Sequence, residues 1–104
     1  MNLKTKEPPR LSSKERVILE LLAARGRMYG LQLVSDSHGR LKRGTVYVTL
    51  GRMEKKGFIE SAPEKLLDDT GLVPRRMYRA TAFGVRVLES WTRLARELAW
   101  GVSP

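Results

Sequence analysis

The chain has 104 residues, no cysteine and one histidine, His38, which allows a single small domain and excludes disulfides, thiolate metal sites and histidine-based zinc sites. Its 20 Lys and Arg outnumber 11 Asp and Glu, and the surplus is segregated: residues 25–56 carry eight bases against only Asp36 and Glu54, while Arg75, Arg76 and Arg79 add three with no acid beside them. That footprint suits a polyanion. No apolar run is long enough to cross a bilayer and the polar N-terminus lacks a signal segment, so a soluble, cytoplasmic protein without membrane association is expected.

Residues 1–11 read as a flexible N-terminal arm. Ser12 with Glu15 three positions later is a capping box, each side chain covering a free backbone N–H. Val17, Ile18, Leu21 and Leu22 recur at helical spacing, so a first helix spans 13–24 and stops at Gly26. A shorter second helix, residues 29–37, turns Leu31, Leu33 and Val34 inward and closes at the Ser37-His38-Gly39 turn. Gly30 near its start implies that another backbone comes close there or that the helix must begin tightly. The third helix, 43–56, ends at Gly57. Val46, Leu50 and Met53 form its core stripe, and Thr45, Val48, Thr49, Arg52, Lys55 and Lys56 face outward. Residues 58–62 and 75–80 read as two strands of a hairpin, with a long polar tip holding Asp68 and Asp69. Thr81 N-caps a last helix that reaches about residue 100.

The expected fold is therefore mostly α with a small β-hairpin (α+β). A winged helix-turn-helix spans 12–81, followed by a C-terminal dimerisation helix and tail over 82–104. In this plan the exposed face of the third helix enters a major groove about 12 Å wide, and the hairpin is the wing.

Three segments carry a resemblance to the PadR-like winged-helix transcriptional regulators. The first is Leu19 to Leu22 with Gly26 and Met28-Tyr29-Gly30. The second is Gly44-Thr45-Val46-Tyr47-Val48-Thr49-Leu50 continuing through residues 52–60. The third is Pro74-Arg75-Arg76-Met77-Tyr78-Arg79-Ala80-Thr81 with Gly84. Together they cover about residues 13–84 in the family's order and spacing. The resemblance implies a dimeric repressor that binds operator DNA, its third helix reading bases and its wing touching phosphate or minor groove. The family commonly has proline where this chain has Arg43 and Val48, and histidine where it has Tyr29, so an operator sequence does not carry over. A single C-terminal helix matches the family's short members, which argues against a dedicated small-molecule sensor domain; an effector stays unassigned.

Base reading is assigned to Arg43, Thr45, Val48, Thr49 and Arg52, since Thr can bond a base edge or touch a thymine methyl and Arg can bond guanine twice. Phosphate contact is assigned to Arg40, Lys42, Gly44, Tyr47, Lys55, Arg75 and Arg76, helped at the helix entrance by free backbone N–H groups. Strand alternation sends Arg75 and Arg76 to opposite faces. The acids Glu64, Asp68 and Asp69 would repel phosphate at the tip, so the base of the wing makes the contact. Val87, Leu88, Trp91, Leu94, Ala95 and Leu98 form an apolar seam that the same helix of a second copy would cover. The expected function is a homodimeric, sequence-specific double-stranded DNA-binding regulator that represses by occluding a promoter at a palindromic operator. No cofactor, metal or enzymatic activity is expected. A protein-docking winged helix and a nonspecific nucleic-acid binder are the alternatives.

Overall fold

Ser12 and Glu15 close the capping box: Glu15 N–H donates to Ser12 Oγ at 3.2 Å, and Ser12 N–H to Glu15 Oε1 at 2.9 Å. They start α1 (Ser13–Arg25) in a computed structural model that describes residues 8–65, 71 and 73–101. Gly26 ends the helix with φ 84°, its N–H donating to the Leu22 carbonyl at 2.8 Å. Only glycine adopts that left-handed conformation without steric cost. The buried stripe is Glu15, Ile18, Leu19 and Leu22, at helical spacings of three and four; Val17 and Leu21 are only partly covered.

The chain then makes a two-residue strand, β1 (Met28–Tyr29), and enters α2 (Gly30–Asp36). The expected hairpin is thus part of a three-stranded antiparallel sheet in the order β1-β3-β2, with β2 (Ile59–Pro63) and β3 (Arg76–Ala80). Met28 pairs with Tyr78 on one side of β3, and Ile59 with Ala80 on the other. Within α2, Leu33 is fully buried but Leu31 is 42% exposed, contrary to the inward position expected of it. Two residues apart on a helix is about 200° of rotation, so both cannot face the core. Gly30 meets a side chain instead of a backbone: a Cβ there would lie 2.6 Å from Cε1 of Tyr47.

Ser37 donates its hydroxyl to the Val34 carbonyl at 2.8 Å and accepts the Leu41 N–H at 3.0 Å, which draws Leu41 into the core. The third helix, α3 (Val46–Lys55), begins later than expected, because the Lys42 carbonyl accepts the N–H groups of both Thr45 and Val46 in a tight turn. Gly44 therefore lies before the helix, not just inside it. At the other end Gly57, with φ 80°, gives its N–H to the Glu54 carbonyl while Phe58 gives its own to Met53, both at 3.0 Å. This double bond pattern, with Met53 and Phe58 buried together, fixes the exit toward β2.

Thr81 accepts the Gly84 N–H at 2.9 Å and donates to the Gly57 carbonyl at 2.6 Å, capping α4 (Ala82–Gly101) and tying its start to the end of α3. Gly84 is required by this crossing, since a Cβ there would sit 2.1 Å from the Phe58 carbonyl oxygen. Between these elements, residues such as Ile18, Leu33, Leu50, Met53 and Phe58 form one continuous core. No helix among the described residues is long and apolar enough to cross a membrane.

Candidate nucleic-acid interface

The hydrophobic stripe of α3 decides which of its side chains are free. Val46, Leu50 and Met53 are buried, and so is Thr49, at 6% exposure, with its hydroxyl donating to the Thr45 carbonyl at 3.3 Å. Thr49 is therefore not on the outward face. It follows Val46 by three positions and precedes Met53 by four, which places it inside the core stripe despite its polarity. Lys56 leaves the face as well: its ammonium binds the buried Glu15 carboxylate at 2.7 Å. Burial raises the Glu15 carboxyl more than any other single influence, but the Lys56 bond, the Ser12 N–H bond and the Lys56 charge together hold it below its ordinary value.

The remaining outward residues are Thr45, Val48, Arg52 and Lys55, all exposed, with Val48 at 64%. Tyr47 stands beside them, half-exposed, its ring laid over Gly30. Arg40, Lys42, Arg43 and Gly44 are exposed on the turn leading into the helix. Arg40, Lys42, Arg43, Arg52 and Lys55 have no carboxylate within salt-bridge distance among the described residues. Of the two acids within residues 25–56, Asp36 is bound by Arg25 at 2.8 Å, and Glu54 accepts the Ser61 hydroxyl at 2.7 Å.

The wing carries less free charge than its arginines suggest. Across the β2–β3 pairing Glu60 lies opposite Arg79 and the two form an ion pair. Glu64 binds the Arg75 guanidinium at 3.1 Å and accepts the Tyr29 hydroxyl at 2.8 Å, while Arg75 stacks 3.8 Å over the Tyr29 ring. The Arg75 backbone N–H, the Tyr29 hydroxyl and the Arg75 side chain lower the Glu64 pKa to about 2, so it stays ionised. Two of the three wing arginines thus do have partner acids, one strand away. Arg76 differs. Its Nη1 donates to Ser61 Oγ at 3.0 Å, and Ser61 in turn donates to Glu54 of α3 at 2.7 Å. Arg75 lies against Tyr29, and Arg76 is tied through Ser61 to the end of α3. The pairs Glu60–Arg79 and Glu64–Arg75 and the Ser61 bridge are all missed in the sequence, where these arginines have no acid beside them; the register of β2 on β3 is what brings the partners together. Asp68 and Asp69 lie outside the described residues.

Along α4 the expected seam divides in two. Val87 and Leu88 are 3% and 9% exposed, packed into the domain's own core against α1, and so are not available to a second copy. Trp91 is half-buried and its indole N–H donates to the Pro9 carbonyl at 2.7 Å, which seats residues 8–11 of the expected flexible arm against α4. Beyond it, Trp91, Leu94, Ala95 and Leu98 line a groove of about 230 Å³ with Leu11 and Arg16, and Leu98 is 62% exposed.

A comparison with curated protein sequences gives no match. Among solved structures, the chain is similar to a PadR-like transcriptional regulator from Bacillus cereus strain ATCC 14579, with 25% identity, 86% of each chain covered and a TM-score of 0.67. It shares its fold with PadR from Bacillus subtilis, solved in complex with operator DNA, at 21% identity and a TM-score of 0.68 over 80% of this chain and 48% of that one. The PcaV transcriptional regulator from Streptomyces coelicolor, solved with its natural ligand, gives 21% identity and a TM-score of 0.68 over 89% of this chain and 62% of that one. This chain thus spans about half of one of these proteins and under two thirds of another. The sequence model of the transcriptional regulator PadR-like family matches residues 18–90, well over half of the chain, and the protein belongs to that family.

Proposed function

We propose that this protein binds operator DNA as a homodimer and represses transcription by occluding a promoter at a palindromic site. One observation carries the proposal: the outward face of α3 and the turn before it offer Arg40, Lys42, Arg43, Arg52 and Lys55 without an ion-pair partner among the described residues, with Thr45 exposed beside them. Cations that the fold itself leaves uncompensated are available to phosphates, and a helix bearing them fits a major groove. Arg43, Thr45, Val48 and Arg52 are the base readers. Arg40, Lys42, Gly44, Tyr47, Lys55 and Arg76 are the phosphate contacts, with Arg75 a brace for the wing more than a ligand for DNA. The outer half of α4, from Trp91 to Leu98, pairs with the same segment of a second copy, which would set two α3 helices into successive grooves about 34–36 Å apart. The operator complex of the Bacillus subtilis protein, which shares this fold, supports the reading.

Selection of duplexes from a random pool, followed by fluorescence polarisation across a salt series, tests it. A symmetric enriched motif and a slope of log affinity against log salt of about −0.9 per phosphate contacted are expected. Equal affinity for scrambled duplexes would leave only a nonspecific polycation. Binding that ignores salt would remove the phosphate contacts altogether.

A further inference from the structure

Two residues at the centre of the α3 outward face serve no purpose in the fold. Val48 is 64% exposed, although a β-branched residue is a poor choice for a solvated helix position. Gly51 stands in the interior of the same helix, where glycine is the least favourable residue after proline. The other glycine inside a long helix, Gly84, is forced by the Phe58 carbonyl, but a Cβ on Gly51 would meet nothing within 4 Å. Packing therefore does not account for Gly51.

Their positions on the helix coincide. At about 100° per residue, Val48 and Gly51 lie about 60° apart and each about 150° from the middle of the core stripe. Residues three apart are surface neighbours, so the isopropyl group of Val48 borders a bare stretch of helix backbone. Arg52 and Thr45 flank this notch on one side and Tyr47 on the other. The surface is apolar, small and shaped for close approach, and the polar groups stand at its rim.

We infer that Val48 and Gly51 form a notch that takes the C5-methyl group of a thymine, making this the specificity-determining contact of α3. Thymine is the base that presents a methyl group in the major groove. An apolar side chain beside a residue with no Cβ lets that methyl be buried against both. The inference rests on the operator-binding reading above and goes beyond it by naming what the middle of the helix recognises. With Thr49 turned into the core, the floor of the notch carries no hydroxyl, and those of Thr45 and Tyr47 stand at its rim.

The test uses the full chain and the duplex recovered by selection, with deoxyuridine replacing each thymine in turn. This exchange removes a methyl and leaves every hydrogen-bonding edge unchanged. At one position in each half-site the exchange should weaken binding about fourfold, and about fifteenfold when made in both, from the loss of one buried methyl each. In Val48→Ala the same exchange should cost less than twofold. Gly51→Ala should raise the thermal midpoint by about 4 °C, as a better helix former, while weakening the selected duplex at least tenfold. Operator binding that tolerates deoxyuridine everywhere, or Gly51→Ala binding like the parent, would overturn the notch and leave operator binding intact. A selection that enriches no sequence would overturn operator reading itself, and the notch with it.

Discussion

Replacing Lys56 by methionine tests what this cation, expected on the outward face of the third helix, does for the fold. Its ammonium lies 2.7 Å from Glu15 Oε2 and 5.6 Å from the Phe58 ring centroid. The Glu15 side chain is 1% exposed and that of Lys56 38%. Stranding one member of a fully buried pair costs about 3–5 kcal/mol, whereas fully exposed pairs contribute about 0.2–1 kcal/mol. With one end buried and the other partly wet, Lys56→Met should cost about 2 kcal/mol, since methionine keeps the stem over Phe58 but leaves Glu15 charged with only backbone and hydroxyl partners from Ser12. For a domain of this size that lowers the melting temperature by about 10 °C. Glu15→Gln should cost less, about 1 kcal/mol, because the amide oxygen can still accept the Ser12 N–H and the freed ammonium can turn to water.

The pH dependence is the sharper measurement. A carboxyl held below its ordinary value in the folded state stabilises the fold above its unfolded value, and that contribution is lost as pH falls through the folded value. The parent should therefore lose the Glu15 contribution below about pH 4.3. In Lys56→Met the burial that already pushes hardest on Glu15 is no longer outweighed by the Lys56 bond and charge. Only the Ser12 bonds then oppose burial, so the folded value rises and the variant loses less stability than the parent as Glu15 protonates. Urea denaturation at pH 7 and pH 3.5 should thus show the gap between parent and variant narrowing with acid. A gap that stays constant, or a Glu15→Gln variant as damaged as Lys56→Met at pH 7, would refute this account. Duplex affinity measured well below the melting temperature should change little, since Lys56 points into the fold.

Gly84→Ala should destabilise by about 3 kcal/mol, read by urea denaturation, because the new Cβ would sit 2.1 Å from the Phe58 carbonyl oxygen and α4 must shift to relieve it. Arg76→Gln should reduce the magnitude of the salt slope of duplex binding by about 0.9, the value of one phosphate; Arg75→Gln, whose charge is already matched by Glu64, should change the slope by less than half as much. Thr49→Val should bind the selected duplex within about twofold of the parent, while Thr45→Val loses about fivefold, the worth of one hydrogen bond at about 1 kcal/mol, both by fluorescence polarisation.

Features set by neighbours along the chain were legible from residue types. The Ser12–Glu15 cap, the Gly26 and Gly57 stops and the Thr81 cap each join groups within a few positions of one another, and each is found where expected. The core of α3 was equally clear from Val46, Leu50 and Met53. Thr49 was misplaced because its polarity was weighed against its position, and position prevails when a hydroxyl can satisfy itself on the carbonyl four residues back. The strand at Met28–Tyr29 is too short to show alternation; only pairing with Tyr78 and Met77 makes it a strand. Depth along α4 was hidden for a similar reason. A periodic seam shows which face is apolar, but not that the body of the domain reaches as far as Leu88 and only partly covers Trp91. The Glu15–Lys56 pair joins residues 41 positions apart, a distance over which charge spacing carries no information.

The distribution of ion pairs changes where the electrostatic attraction must lie. Counted along the chain, the surplus sits in two segments, and the wing arginines are the denser of the two. In the folded protein, Arg25, Lys56, Arg75 and Arg79 are each matched by an acid from another element, namely Asp36, Glu15, Glu64 and Glu60. Of the wing's three arginines, Arg76 alone then has no carboxylate partner among the described residues, and Lys65 beside Glu64 is a second such wing cation, whereas the turn into α3 and the helix face retain Arg40, Lys42, Arg43, Arg52 and Lys55. A charge already neutralised within 4 Å adds little to the field a Debye length away. On the proposed operator-binding reading, long-range attraction of a duplex falls mainly to α3 and its entrance, and the wing contributes through Arg76, held by Ser61 against the end of the same helix. That link ties the wing to the helix: Glu54 on α3 accepts the Ser61 hydroxyl that holds Arg76, so on the proposed reading Arg76 keeps a set position relative to whatever α3 contacts.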